Sequence, residues 1–212
     1  MTTRPRVKVC GITRREDAAL AVALGADALG FIFWSRSPRA IAPEAARAVH
    51  ERLPVLVSRV GVFVDASPAE VAATVRAAGL DVVQLHGDEP IEAFAGLEAR
   101  VMRVATLASD ADVDRVIAWP SHVTPLVDAI DREKRGGTGR LADWALAARV
   151  AGARPIMLAG GLVADNVGDA IARVRPWGVD VSSGVEDAPG IKSAARLEAF
   201  FTRLAAASRG ES

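Results

Sequence analysis

Apolar residues fall in eight short runs along the chain, and longer amphipathic stretches separate them. The runs at 7–10, 28–33, 59–64, 82–85, 101–105, 124–127, 156–159 and 178–181 are rich in Val, Ile, Leu and Phe, with little polar alternation. That pattern predicts strands of a parallel sheet covered on both faces. Alanine-rich patterns near 16–24, 43–52, 68–78, 90–97, 111–118, 141–151, 165–174 and 191–206 predict the helices between and after them. Several boundaries carry their own signals. Thr13-Arg14-Arg15-Glu16 fits a capping box. Ala42-Pro43-Glu44 and Ser67-Pro68-Ala69-Glu70 put proline at a first helical position with an acid behind it. Gly25 and Gly79 sit where helices should stop.

Strand–helix alternation implies a parallel sheet with right-handed crossovers. Eight such units in 212 residues predict an α/β fold, a single closed (β/α)₈ TIM barrel spanning 1–212. The rival is an open doubly wound sheet. Gly11-Ile12-Thr13 after the first strand is not a dinucleotide-binding glycine loop, which favours the barrel. The longest irregular stretch, 129–140, follows the sixth strand and is charged, then glycine-rich. A loop of that length in a compact chain is usually functional.

Composition narrows the class. A chain of this size buries about 70% of its unfolded surface, enough for one core. Lys plus Arg and Asp plus Glu number 26 each, without the basic excess of a general nucleic-acid binder. No apolar run is long enough to span a bilayer, and no secretion signal is visible, so a cytoplasmic protein is expected. One cysteine excludes an internal disulfide, and three scattered histidines offer no metal-site spacing. No metal or cofactor is expected. Oligomeric state stays open between monomer and homodimer.

A barrel keeps its chemistry at the C-terminal strand ends. Here those ends carry Cys10, Phe33-Trp34, Asp65, His86, Asp128, Gly160-Gly161 and Ser182-Ser183-Gly184. The glycine-bearing ends of strands seven and eight fit a phosphate held on backbone N–H groups. Cys10, the lone cysteine at the mouth of strand one, is either a small buried hydrophobe or a catalytic thiol. Asp128 directly follows a buried apolar run, so it is solvated, paired or functional. Arg39, in the loop after strand two, is either a solvated charge or a bidentate carboxylate ligand. His86 is a structural hydrogen-bonding group or a proton carrier, and Trp34 a wall for an aromatic ligand.

Together these segments resemble the phosphoribosylanthranilate isomerase family of tryptophan biosynthesis over nearly the whole chain. The resemblance rests on Lys8-Val9-Cys10-Gly11-Ile12-Thr13, Gly25-Ala26-Asp27-Ala28-Leu29-Gly30-Phe31-Ile32-Phe33 and Val83-Gln84-Leu85-His86-Gly87. It continues in Gly136-Gly137-Thr138-Gly139, Leu158-Ala159-Gly160-Gly161-Leu162 with Asn166, and Val179 through Glu186 with Pro189-Gly190. It implies a cofactor-free Amadori rearrangement of a small phosphoribosyl substrate. By resemblance Cys10 is the general base, Asp128 the general acid and Arg39 the contact for the anthranilate carboxylate. Gly160, Gly161, Ser183 and Gly184 match the phosphate loops. The related histidine-pathway isomerase uses two aspartates, one at the end of strand one, where this chain has Cys10. The chemistry calls for a thiol shifted toward thiolate, and the N-terminus of the first helix is one candidate source of the positive field.

Overall fold

The computed structural model describes residues 4–128 and 144–209. Eight parallel strands close into a barrel in chain order. They are β1 (Arg6–Cys10), β2 (Ala28–Ile32), β3 (Ser58–Phe63), β4 (Val82–Leu85), β5 (Arg100–Ala105), β6 (Val123–Asp128), β7 (Met157–Ala159) and β8 (Gly178–Val181). The seam pairs β1 with β8, placing Lys8 opposite Asp180 and Val9 opposite Val181. The described helices pack outside: α1 (Arg15–Ala23), α2 (Pro43–His50), α3 (Pro68–Ala78), α4 (Asp110–Ile117), α5 (Trp144–Ala153), α6 (Ala164–Val174) and α7 (Ala194–Arg209). The charged, glycine-rich stretch expected to be functional, 129–140, lies outside the described residues, as do the start of the predicted helix 141–151 and Gly136-Gly137-Thr138-Gly139.

Strand alternation sorts side chains between two environments. On β1, Val7 and Val9 point outward and are fully buried under the helices. They belong to the large cluster between barrel and helices, with Leu29, Phe31, Val83, Leu85, Leu158 and Val179. A smaller cluster of Met102, Leu126, Met157 and Ala159 fills the barrel interior. Two glycines make room on the inner wall. A Cβ at Gly30 would meet Cys10 Sγ at 2.7 Å, and one at Gly178 would meet Met157 Sδ at 2.6 Å.

The α3 boundaries follow the sequence signals. Ser67 Oγ accepts from the Glu70 N–H while the Glu70 carboxylate accepts from the Ser67 N–H, and Gly79 ends the helix at φ 67°. Three expectations give way. The predicted helix 90–97 is one 3₁₀ turn, Ile91–Phe94, in a segment punctuated by Gly87, Pro90 and Gly96. Thr13 does not cap α1; its hydroxyl donates to the Gly190 carbonyl at 2.5 Å, and Arg14 stands at the helix start with no side-chain cap. The last helix begins at Ala194, because the preceding residues form a hairpin, β9 (Glu186–Ala188) with β10 (Ile191–Lys192), paired antiparallel.

That hairpin clasps the seam. The buried Glu186 carboxylate accepts from Arg39 through Nε and Nη2 and from Lys192 Nζ at 2.8 Å. Lys192 Nζ also donates to the Cys10 carbonyl at 2.5 Å. Burial works to raise the Glu186 carboxyl, but Arg39 and Lys192 outweigh it and hold it below the usual glutamate range. A carboxyl so depressed favours the folded state at pH above the ordinary value of about 4.3, and the advantage is lost as pH falls through the folded value. Glu186→Gln is expected to cost about 3–5 kcal/mol in urea denaturation at neutral pH, because the buried Lys192 and the half-buried Arg39 lose their counter-charge. It should also flatten the acid-side loss of stability shown by the wild type.

Candidate active site

A cavity of about 170 Å³ opens at the C-terminal ends of the strands. Its walls include Cys10 from β1, Gln84 and His86 at the end of β4, and Asp128 closing β6. Gly160 and Gly161 after β7 and Asp180, Ser182, Ser183 and Gly184 at the end of β8 complete them. Other sizeable cavities lie elsewhere, among them one beside Arg47, His50 and Val55, one beside Trp34 and Asp65, and one at the N-terminal ends of the strands beside Arg6 and Trp177. Among the described residues no group of three or more His, Cys, Asp or Glu side chains is placed to hold a metal.

Cys10 is buried and carries a free thiol. One layer below it on the same inner face lies Lys8, only 1% exposed. Lys8 Nζ donates to Asp180 Oδ2 at 2.9 Å across the β1–β8 seam. Burial works to lower the ammonium, yet Asp180, aided by Cys10, holds it above the ordinary lysine value. The thiol is pushed up by burial; Lys8 pulls it down by charge and hydrogen bond, Asp180 pushes it up, and Lys192 pulls it down. The net direction is upward, which corrects the expected depressed thiol. Removal of the sulfur from water outweighs the pull of the Lys8 and Lys192 side chains.

Two acceptors in the cavity wall are buried without a partner among the described residues: Asp180 Oδ1 and Gln84 Oε1. The Gln84 amide is oriented by its other end, with Nε2 3.3 Å from His86 Nδ1. A buried acceptor left open is costly, so such atoms commonly await a ligand or water.

The loops after β7 and β8 touch. A Cβ on Gly184 would run into the Leu162 carbonyl, so only glycine permits that approach. Gly160 and Gly161 take φ of 95° and 61°, the left-handed region that favours glycine. Asn166 pins this turn, accepting from the Val163 N–H at 2.8 Å and donating to the Gly161 carbonyl at 2.9 Å.

Six of the sequence-predicted residues, Cys10, Asp128, Gly160, Gly161, Ser183 and Gly184, thus surround one space. Arg39 stands beside it. Its stem covers Gly11, where a Cβ would meet Cδ at 2.6 Å, and its guanidinium is held by Glu186. Trp34 lines a separate groove with Phe33, Phe63 and Asp65 between α2 and α3. Sequence reasoning passed over Lys8, Gln84, Asp180, Glu186 and Lys192. Three of these carried a signal: Lys8 lies two residues from Cys10, Gln84 two from His86, and Asp180 two from Ser182, each sharing an inward face. Glu186 and Lys192 carried none of this kind, because 191–206 was read as helix and no hairpin was expected before it.

Comparison with known proteins agrees with this arrangement. Residues 7–203 match the family model described as N-(5′-phosphoribosyl)anthranilate (PRA) isomerase. The chain is 44% identical over 207 residues to the N-(5′-phosphoribosyl)anthranilate isomerase of Pelobacter propionicus, covering 98% of each chain. It is 45% identical to that of Geobacter sulfurreducens, covering 93% of this chain and 97% of the relative. The crystal structure of phosphoribosyl anthranilate isomerase from Thermotoga maritima superposes with TM-score 0.86 at 40% identity, over 97% of this chain and 99% of that one. A phosphoribosyl anthranilate isomerase in complex with reduced 1-(o-carboxyphenylamino)-1-deoxyribulose 5-phosphate superposes with TM-score 0.84 at 38% identity, over 95% and 98%. With the fold, the strand-end cavity and matches spanning nearly its full length in agreement, the chain belongs to the N-(5′-phosphoribosyl)anthranilate isomerase family.

Proposed function

We propose that this chain converts N-(5′-phosphoribosyl)anthranilate into 1-(2-carboxyphenylamino)-1-deoxyribulose 5-phosphate in tryptophan biosynthesis, by an Amadori rearrangement that uses only its own side chains. The observation that carries the reading is the shared cavity: a thiol from β1, a carboxyl from β6 and glycine-bearing loops after β7 and β8 all face it. The isomerase complexed with a reduced form of that product supports the same ligand class.

Asp128, as general acid, gives a proton to the furanose ring oxygen. The C1–O bond breaks, and the anilino nitrogen supplies the electrons to form an iminium. The C2 proton becomes acidic beside that iminium. The Cys10 thiolate removes it, and the C2–H electrons form the C1=C2 bond of an enolamine. Protonation at C1 and loss of the O2 proton then give the ketone. Asp180 Oδ1 and Gln84 Oε1 face the sugar as acceptors for its hydroxyls, which supplies the partners these buried atoms lack in the protein. The phosphate lies on the backbone of Gly160, Gly161, Ser183 and Gly184, where the loops are tight enough for close approach. Arg39 meets the anthranilate carboxylate. Glu186 uses Nε and Nη2 and fixes the plane of the guanidinium, with Nη1 on its other arm. No described helix is long and apolar enough to cross a membrane.

A proton-transfer group contributes about 10²–10⁴-fold to turnover. Steady-state assays with N-(5′-phosphoribosyl)anthranilate should therefore show kcat losses of that order for Cys10→Ala and for Asp128→Asn, with KM changing much less. Near-wild-type turnover in either variant removes that residue from the mechanism. Arg39→Ala should instead act on substrate affinity, raising KM by about tenfold or more. An unchanged KM would show that the carboxylate is held elsewhere.

A further inference from the structure

We propose that Lys8 is a positioning residue for this reaction: its buried ammonium, anchored by Asp180, stabilises the thiolate form of Cys10 and sets the pH range in which the sulfur can take a proton. The inference rests on the reading of Cys10 as the base.

The geometry begins with strand parity. Lys8 and Cys10 are two residues apart on β1, and both face the barrel interior. Across from them on β2 stands Gly30. The point where a Cβ would sit lies 2.7 Å from Cys10 Sγ and 3.1 Å from Lys8 Cε. Sulfur and the last methylene of the lysine therefore flank one small space, and residue 30 puts no side chain between them. Lys8 is 1% exposed, so bulk water does not screen its charge. An ammonium has three donors. Asp180 Oδ2 takes one at 2.9 Å, and the thiol lies close enough to feel the charge.

The charges on the sulfur's own side of the cavity are unbalanced. Lys8 faces it from β1, Lys192 from β10 and Arg39 from the loop after β2. Asp180 on β8 and Glu186 on β9 oppose them. Among the described residues on that side three cations meet two anions, a surplus that favours negative charge on the sulfur. Lys192 and Arg39 share Glu186, while Lys8 shares the small space at Gly30 with the sulfur and exerts the larger pull on it. Asp128 and His86 face the same cavity from β6 and the end of β4. A lysine kept only to hold the seam together would not set the pH range of turnover. A lysine that tunes it acts in the direction opposite to its own partner, because Asp180 repels the same thiolate.

That opposition makes the test. Cys10 is the only cysteine and the chain has no tyrosine, so the ultraviolet absorbance of a thiolate, corrected with Cys10→Ser, follows one group. Lys8→Met should raise its titration midpoint by about one pH unit or more, and Asp180→Asn should lower it. Because a lone Asp180 left in the barrel can impair folding, Lys8→Met/Asp180→Leu removes the pair together. Its midpoint should still lie above wild type, since the pull of Lys8 on the thiolate exceeds the push of Asp180. The acid limb of the kcat/KM profile should move the same way as the midpoint. Midpoints unchanged in both the single and the double variant overturn the inference, whatever Cys10→Ala does to turnover. Midpoints that move while the acid limb stays fixed support the coupling of Lys8 to the thiol and overturn the reading of Cys10 as base.

Discussion

The buried pairing of Lys8 with Asp180 is the contact on which the rest of the barrel turns. It crosses the seam where the first strand meets the eighth, and it places one charge of each sign inside an otherwise apolar lumen. Such a pair is weak as a source of stability, because both ions lose their hydration. Its value is positional. It fixes the register of β1 against β8, holds a cation under the only thiol and leaves one carboxylate oxygen facing the cavity. Met102, Leu126 and Met157 fill the lumen, and the cavity beyond it takes its polar lining from Cys10, Gln84, His86, Asp128 and Ser182. The boundary between core and site therefore coincides with one ion pair.

A second carboxylate repeats the arrangement one layer further out. Glu186 gathers Arg39 and Lys192, and Lys192 in turn holds the backbone carbonyl of Cys10. Two carboxylates thus organise three cations around a single sulfur. Burial raises the thiol and the cations lower it, so its ionisation is the small difference between opposed effects. A balance of that kind responds to the arrival of a charged ligand more than a group dominated by one neighbour would.

Most of the fold could be read from the chain because buried parallel strands leave a local signature. The runs at 82–85 and 178–181 match β4 and β8 to the residue. The segment 90–97 failed because a few helix-forming residues between Pro90 and Gly96 close only one tight turn. Thr13 failed because its hydroxyl found a partner 177 residues away, which no local pattern records. At the site, residues at strand ends were legible from position alone. Lys8 and Asp180 were not singled out, because a charge one layer below a strand end looks like an error in an apolar run until the facing strand is known. Glu186 and Lys192 depended on a hairpin too short to announce itself.

The clasp and the seam join the two extremes of the chain. Lys8 and Asp180 are separated by 172 positions, and Lys192 reaches the Cys10 carbonyl across 182. A polypeptide emerging from the ribosome amino end first holds its only thiol from the outset, but the groups that seat it arrive with the last fifth of the message. Nascent intermediates can therefore stack strands and helices in order while their reactive centre stays unassembled, and competence for catalysis comes only when the ring is closed.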